Sequence, residues 1–406
     1  MRLTYRIVDP SRRSELMSAW ITAAAKTFDV PVIGNVNQAI STTGITGGTG
    51  YMPIAYDISN GDRVSASTSY IHPLIRGERS CPNLRVLVNT WVSRVNVSND
   101  VVTGVDIKCA DGKPLTLRHR AETILCGGAI DTPRLMLLSG LGPRQGLSDV
   151  GVPCTKDIPG VGENLQDHVE TNVIWELKRP APPETVTHSD VFLYADRDGS
   201  SATDPDGPGP NIMFHCYTAP HIPNFDHLGL TPPKYPLVMM PNIPRPRSRG
   251  RMFLASADAS VKPVLDFRYF TDPEGYDEAT VMEGIKMCRK LAQSSPLKEW
   301  IAREVAPGPN VTSDEELSSY ARATSTTLFH PCGTTKMGDV EKDPLAVVDH
   351  QFRVRGLRGV RIADAGVLPA CTTTNPMVTV LAIAELAAEE IIRDGEGRQG
   401  IFKSNL

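Results

Sequence analysis

The sequence contains no run of about 18 apolar residues, so no segment of it reads as a membrane-spanning helix. It also lacks a dominant charge. Lys and Arg number 42 against 46 Asp and Glu, which leaves a formal net charge of −4 and no basic footprint for nucleic acid. Cysteine is present but not in metal-binding spacing. The eight residues at 81, 109, 126, 154, 216, 288, 332 and 371 form no C-x-x-C pair, which argues against a structural zinc site. Cys109 and Cys126 lie in apolar strand-like runs and read as buried thiols. The first nine residues carry no apolar signal segment. Two N-x-S/T sequons, at Asn96 and Asn310, are patterns short enough to arise by chance.

A further absence concerns phosphate binding. A dinucleotide site usually opens with a strand, then G-x-G-x-x-G, then a helix whose N–H groups meet the pyrophosphate. The nearest candidate here is Gly44 to Gly50. Its spacing is wrong and no apolar strand precedes it, so it reads as a plain loop.

What the chain does have is length and a normal core composition. At 406 residues and 40% hydrophobic, it is sized for two to three domains of about 100–200 residues each. Apolar periodicity predicts an amphipathic helix over 13–27. Residues 84–117 alternate valines with polar residues around an Asp111–Gly112 turn and read as a β-meander. A short buried strand at 123–126 ends at Gly127–Gly128. A helix is then expected over 132–139, with Thr132 as its cap and Pro133 in its first position. Residues 178–246 are rich in Pro, Gly and Asp, and 198–210 reads as a mobile surface loop. A helix fits 276–292. The last unit is a strand at 359–363, a turn, and a helix over 376–393 stopped by Gly395.

Four motifs carry chemistry. Residues 128–142 read GAIDTPRLMLLSGLG, 159–168 read PGVGENLQDH, 330–338 read HPCGTTKMG, and 362–369 read IADAGVLP, followed by Asn375–Pro376. Together they resemble the glucose–methanol–choline (GMC) oxidoreductase family. Asn83 to Val86 with Val92 resembles the strand pair that flanks the adenine, and Ser248–Arg249–Gly250 the start of the family's C-terminal substrate region. The resemblance runs from about residue 30 to 393. It reads as the C-terminal two-thirds of such a protein, without the N-terminal Gly-rich FAD-binding loop.

The resemblance implies an FAD enzyme that oxidises a primary or secondary alcohol, by proton abstraction and hydride transfer to the flavin. The implied fold class is α/β with α+β elements: an incomplete Rossmann-like FAD-binding domain with an inserted or adjacent substrate domain built on an antiparallel sheet. The implied domains are 1–170 and 171–325, with a returning segment at 326–406. His330 is the implied base. An alcohol donates hydride poorly until its O–H proton is leaving, and an imidazole titrating near 6.5 suits that task at neutral pH. Taken without the motif, His330 reads more readily as a buried histidine bonded to a carbonyl. Asn375 matches the second active-site position and is placed to hydrogen-bond the developing alkoxide. Its other reading is helix capping, since Asn–Pro suits the N-cap and first helical position. Val92, Asp364, Ala365, Pro376 and Met377 are implied FAD contacts, with Asp364 alternatively capping a turn. The helix N-terminus at Pro376 would face the flavin edge where negative charge gathers. His168 is a rival base on paper, but the resemblance places its motif at a structural junction. His215 and His221 fall in the implied substrate region. The expected partner is a small-molecule alcohol, with a secondary metabolite among the candidates, and no metal is expected. The alternatives are a non-redox family member with a structural flavin, such as a cyclase or lyase, and an inactive fragment.

Overall fold

The computed structural model describes residues 6–36, 39, 46–57, 59–183, 191–199, 209–218 and 229–403, with side chains as far as residue 395. Gly44 and Ile45, most of the loop expected at 198–210, and His188, His221 and His227 lie outside the described residues.

In chain order, the elements used below begin with helix α1 (Glu15–Phe28) and strand β1 (Gly48–Tyr51). Next come β2 (Trp91–Ser98), β3 (Val101–Lys108), β4 (Pro114–Arg118), β5 (Thr123–Leu125) and helix α2 (Gly128–Leu138). They are followed by β6 (Glu163–Leu165), β7 (Val173–Leu177), β8 (Val191–Ala195), β9 (Ile212–Tyr217) and β10 (Pro236–Asn242). The last group is β11 (Gly250–Phe253), β12 (Val264–Asp266), α3 (Tyr276–Ala292), β13 (Ile301–Ala306), α4 (Asp314–Thr324), β14 (Val360–Ile362) and α5 (Met377–Lys403).

One compact unit comprises Met1–Arg85, Val169–Pro244 and Gly275–Thr326. Its centre is an antiparallel sheet in the order β13-β7-β10-β9-β8-β1. Strands β8, β9 and β10 are apolar almost without alternation; every residue of β8 is buried, as is His215 on β9. That pattern belongs to strands covered on both faces. Helix α1 packs on β8 and β1, and α3 packs on β10. Ser14 caps α1 by accepting from the Met17 N–H, and the helix buries Leu16, Trp20, Ala23 and Ala24 on one stripe. The Gly-rich segment expected as a loop contains β1, which pairs with β8 from Gly48 to Tyr51. Its glycines permit close backbone approach: a Cβ on Gly50 would lie 2.4 Å from the Ile33 carbonyl oxygen. Partner strands, not local propensity, make this segment extended.

The other unit comprises Val86–His168, Arg245–Glu274 and Thr327–Leu406. Strands β2, β3 and β4 form the antiparallel meander expected from the valine pattern. Asn99 and Asp100, both at positive φ, make the tight β2–β3 turn. Strands β5 and β14 pair in parallel, Thr123 opposite Val360 and Leu125 opposite Ile362. Each is followed by a helix, α2 after β5 and α5 after β14. A continuous core of Val95, Val102, Leu125, Met136, Leu141, Ile158, Val347, Val360 and Ile362 joins these pieces.

Two expected helix boundaries are corrected. Helix α2 begins at Gly128, four residues before the expected start, and Thr132 lies inside it. The Thr132 hydroxyl is used elsewhere: it accepts from the Gly127 N–H at 2.8 Å and donates to Asp364 at 2.6 Å. Pro133 has no N–H for the Ala129 carbonyl four residues back. That carbonyl instead accepts from the Thr334 hydroxyl at 2.6 Å. Helix α5 runs through Gly395 to Lys403 and does not stop at the glycine. A glycine inside a helix costs about 1 kcal/mol, which other interactions can override. Here Asp394 ties the helix to Arg353 and Arg361 just before that point. Among the described residues no helix is long and apolar enough to cross a membrane.

Candidate active site

The site is built within the second unit from three of the sequence motifs. Gln166 and Cys332 exchange backbone hydrogen bonds of 3.0 and 2.9 Å, which sets the ENLQDH segment beside the HPCGT segment. Asp167 then accepts from the His330 backbone N–H at 3.0 Å and from the Tyr269 hydroxyl at 2.7 Å. Burial pushes the Asp167 carboxyl above its ordinary value, and these hydrogen bonds oppose that rise. The His330 main chain is therefore held by a buried carboxyl group.

The ring meets His168. The two Nδ1 atoms lie 2.9 Å apart, with the rings nearly perpendicular at 88°. His168 is fully buried, and its Nε2 lies 2.8 Å from the Thr372 carbonyl oxygen. On the other side of His330, Nε2 lies 3.4 Å from the Asn375 Nδ2. The Asn375 Oδ1 is buried with no hydrogen-bond partner among the described residues. It does not cap α5, whose first intrahelical bond runs from the Val380 N–H to the Pro376 carbonyl.

These contacts imply a proton arrangement. A carbonyl only accepts, so His168 carries its proton on Nε2. A neutral His168 then presents a bare Nδ1 to His330, and His330 must donate from its own Nδ1. With both imidazoles neutral, His330 then has its unprotonated Nε2 beside the Asn375 amide.

The structure brings His330, Asn375 and Pro376 together, with Met377 exposed in the first turn of α5. The Asp364 carboxylate is held by three donors of the protein. It accepts from the Gly366 N–H at 2.8 Å, the Gly128 N–H at 2.9 Å and the Thr132 hydroxyl at 2.6 Å. It caps the short turn at Ala365–Val367 and staples that turn to the start of α2. Ala365 accepts from the Gly333 N–H at 3.3 Å, linking the turn to the His330 segment. Val92 sits on β2 opposite Ile107 with its side chain exposed. Sequence reasoning missed His168 as the partner of His330. Its signal was the ENLQDH motif itself, but nothing local shows which ring nitrogen meets what. Tyr269 had no signal.

A flavin fits these residues. The orphaned Asn375 oxygen offers an unused acceptor at the site. The first turn of α5 has Met377 and Val378 exposed, and its leading N–H groups have no carbonyl in a preceding turn. Such a helix start favours an electron-rich ring edge.

The β5–α2 and β14–α5 units, with a histidine–amide pair at the start of α5, define the class: a mixed α/β protein with its polar cluster at a helix start. The chain belongs to the GMC oxidoreductase family. Its sequence matches the family's N-terminal profile over residues 7–170 and the C-terminal profile over 246–384. The similarity thus begins before residue 30 and takes in the N-terminal profile, which corrects the expectation of a resemblance confined to the C-terminal two-thirds. FAD is the cofactor that goes with this family. The chain is 38% identical to choline oxidase of Arthrobacter globiformis, over 82% of this chain and 59% of that one. It is 31% identical to alcohol dehydrogenase [acceptor] of Pseudomonas putida, over 82% of this chain and 62% of the relative. The chain therefore spans about three-fifths of the length of these curated relatives. Among solved structures, pyridoxine 4-oxidase from Mesorbium loti superposes with a TM-score of 0.83 at 27% identity, covering 95% of this chain and 71% of that one. Formate oxidase from Aspergillus oryzae shares the fold, with a TM-score of 0.80 at 22% identity, covering 97% of this chain and 72% of that one.

Proposed function

We propose that this chain oxidises the CH–OH group of a small alcohol, with His330 Nε2 as the base and Asn375 Nδ2 as the donor that holds the substrate oxygen. FAD, when bound, supplies the hydride acceptor. Val92, Asp364, Ala365, Pro376 and Met377 are the residues read as its contacts, Asp364 also shaping the turn at Ala365. The unit with the antiparallel sheet is read as the substrate-binding domain expected over 171–325.

One observation carries the reading. The chain of contacts from Thr372 through His168 leaves the bare nitrogen of His330 facing an amide N–H. As the alcohol O–H proton moves to that nitrogen, the growing negative charge on oxygen meets the Asn375 amide, and the carbon is freed to release hydride. His330 becomes cationic with both ring nitrogens protonated, and its Nδ1 proton still points at His168. Relatives whose names denote action on choline, alcohols and pyridoxine share this CH–OH chemistry and support the same class of substrate.

The test is anaerobic mixing of the FAD-loaded chain with a panel of small primary and secondary alcohols, following the flavin absorbance. Bleaching by at least one alcohol is expected, abolished in His330→Ala while bound FAD is retained. A wild-type reduction rate in His330→Ala would remove the base assignment. A flavin that no alcohol bleaches would favour a non-redox role.

A further inference from the structure

Cys332 and Cys371 take no part in the proton relay, yet their sulfurs lie 3.3 Å apart. Among the described residues no other two cysteine sulfurs are within hydrogen-bond distance of each other. The approach is built by one residue, through its backbone on one side and its side chain on the other. Gln166 pairs with Cys332 through both backbone bonds, and its Oε1 accepts from the Cys371 N–H at 3.2 Å. Its Nε2 donates to the Pro369 carbonyl at 3.0 Å. Gln166 is 2% exposed, so both cysteine backbones hang from a fixed, buried anchor. Cys332 is buried, and Cys371 lies beside it with its residue as a whole partly exposed and its thiol largely enclosed.

We propose that Cys332 and Cys371 are an oxidative modification site that forms a reversible intramolecular disulfide, with a hydroperoxide as the oxidant. The Cys371 thiolate attacks one peroxide oxygen, the O–O bond breaks, and Cys371 becomes a sulfenic acid as hydroxide leaves. The Cys332 sulfur then attacks the Cys371 sulfur, forming the S–S bond and expelling water. Two thiols and one hydrogen peroxide give one disulfide and two waters, with both electrons passing from sulfur to oxygen. Closure needs the sulfurs to move from 3.3 Å to about 2.05 Å, a shift of little more than an ångström. The hydrogen bond to Cys332 and burial push the Cys371 thiol well above its ordinary value. Oxidation is therefore slower than at an ordinary exposed thiol and speeds up as pH rises.

The bond would join two segments of the proposed site. Cys332 is two residues beyond His330, and Cys371 precedes Thr372, whose carbonyl faces His168 Nε2. The modification itself does not depend on the proposed alcohol chemistry, and its test needs no flavin.

The full chain is treated with hydrogen peroxide, denatured, alkylated and mapped by mass spectrometry. The reduced protein should take eight alkyl groups. The oxidised protein should take six (the eight less the two joined), with a cross-linked peptide containing Cys332 and Cys371 and a mass lower by two hydrogens. Dithiothreitol should restore all eight. In Cys332→Ser the Cys371 sulfenic acid has no partner and should be captured by dimedone. Eight alkylated cysteines after peroxide would overturn the proposal. So would over-oxidation of Cys371 without the cross-link in the wild-type chain, a measurement that needs no variant to fold.

Discussion

His168 and His330, 162 positions apart in sequence, place their Nδ1 atoms 2.9 Å apart, so one of the two must carry a proton there. Because His168 also faces the Thr372 carbonyl through Nε2, the donor at the contact is His330. On the proposed function, His168 is the positioning residue that selects the His330 tautomer.

Replacing His168 with Ala removes that selection without removing the base. The rate of flavin reduction should fall by about 10²-fold, the low end of what a general base contributes. FAD binding and KM should change little. Stopped-flow reduction beside an FAD titration checks this, and an unchanged rate would return His168 to a packing role.

Asn375→Ala separates two roles for one side chain. If the amide serves the substrate oxygen, reduction should slow by about 10²–10³-fold, as for loss of one such donor. Its Oδ1 caps nothing, so the loss of about 0.5–2 kcal/mol seen on removing an N-cap should be absent. Urea unfolding reads the second quantity.

Arg361 is 1% exposed and is held by Glu122 at 2.7 Å and by Asp394. Glu122→Gln leaves a buried guanidinium short of a counter-charge. A loss of about 3 kcal/mol is expected, visible as a lower urea midpoint.

The same cluster sets an acid dependence. Hydrogen bonds from Arg353 and Arg361 hold the Asp394 carboxyl below its ordinary value of 3.8. A depressed folded value means that its contribution is complete above 3.8 and is lost as pH falls through the folded value. Urea midpoints measured from pH 5 downward should therefore fall more steeply for the wild type than for Asp394→Asn.

Gly162 adopts φ +88°, and a Cβ there would lie 2.1 Å from the Met252 carbonyl oxygen. Strand β6 follows it directly and pairs with β11, which contains Met252. Gly162→Ala should cost more than about 2 kcal/mol through backbone strain and steric overlap. A thermal melt within a degree of wild type would show that the two backbones can separate without penalty.

Much of the secondary structure was legible in the sequence. The helix at 276–292 and the meander, which starts at Trp91 and not at the expected 84, follow from apolar periodicity and from the turn residues that punctuate it. Boundaries misread from caps have a common cause. Thr132 looked like a helix cap because its hydroxyl is short and near a helix start, but that hydroxyl is bonded to Asp364, 232 residues away. Gly395 looked like a stop because a glycine weakens a helix, but the adjacent Asp394 is anchored by two arginines. Gly48 to Tyr51 looked like a loop because its partner strand lies more than a hundred residues on, in β8.

By itself the sequence determined the family motifs, their order, and the pairing of a histidine with a following Asn–Pro helix start. Those are local patterns of residue type, which short-range sterics and hydrogen bonding impose on any chain that carries them. Only the tertiary structure decided which nitrogen of His330 faces His168 and which faces Asn375, that Asp364 ties the turn to α2, and that Cys332 meets Cys371. Each depends on side chains brought within about 3 Å across 39 to 236 positions of sequence. Contacts at that separation are set by the path of the whole backbone through a packed core, on which local propensity has no purchase.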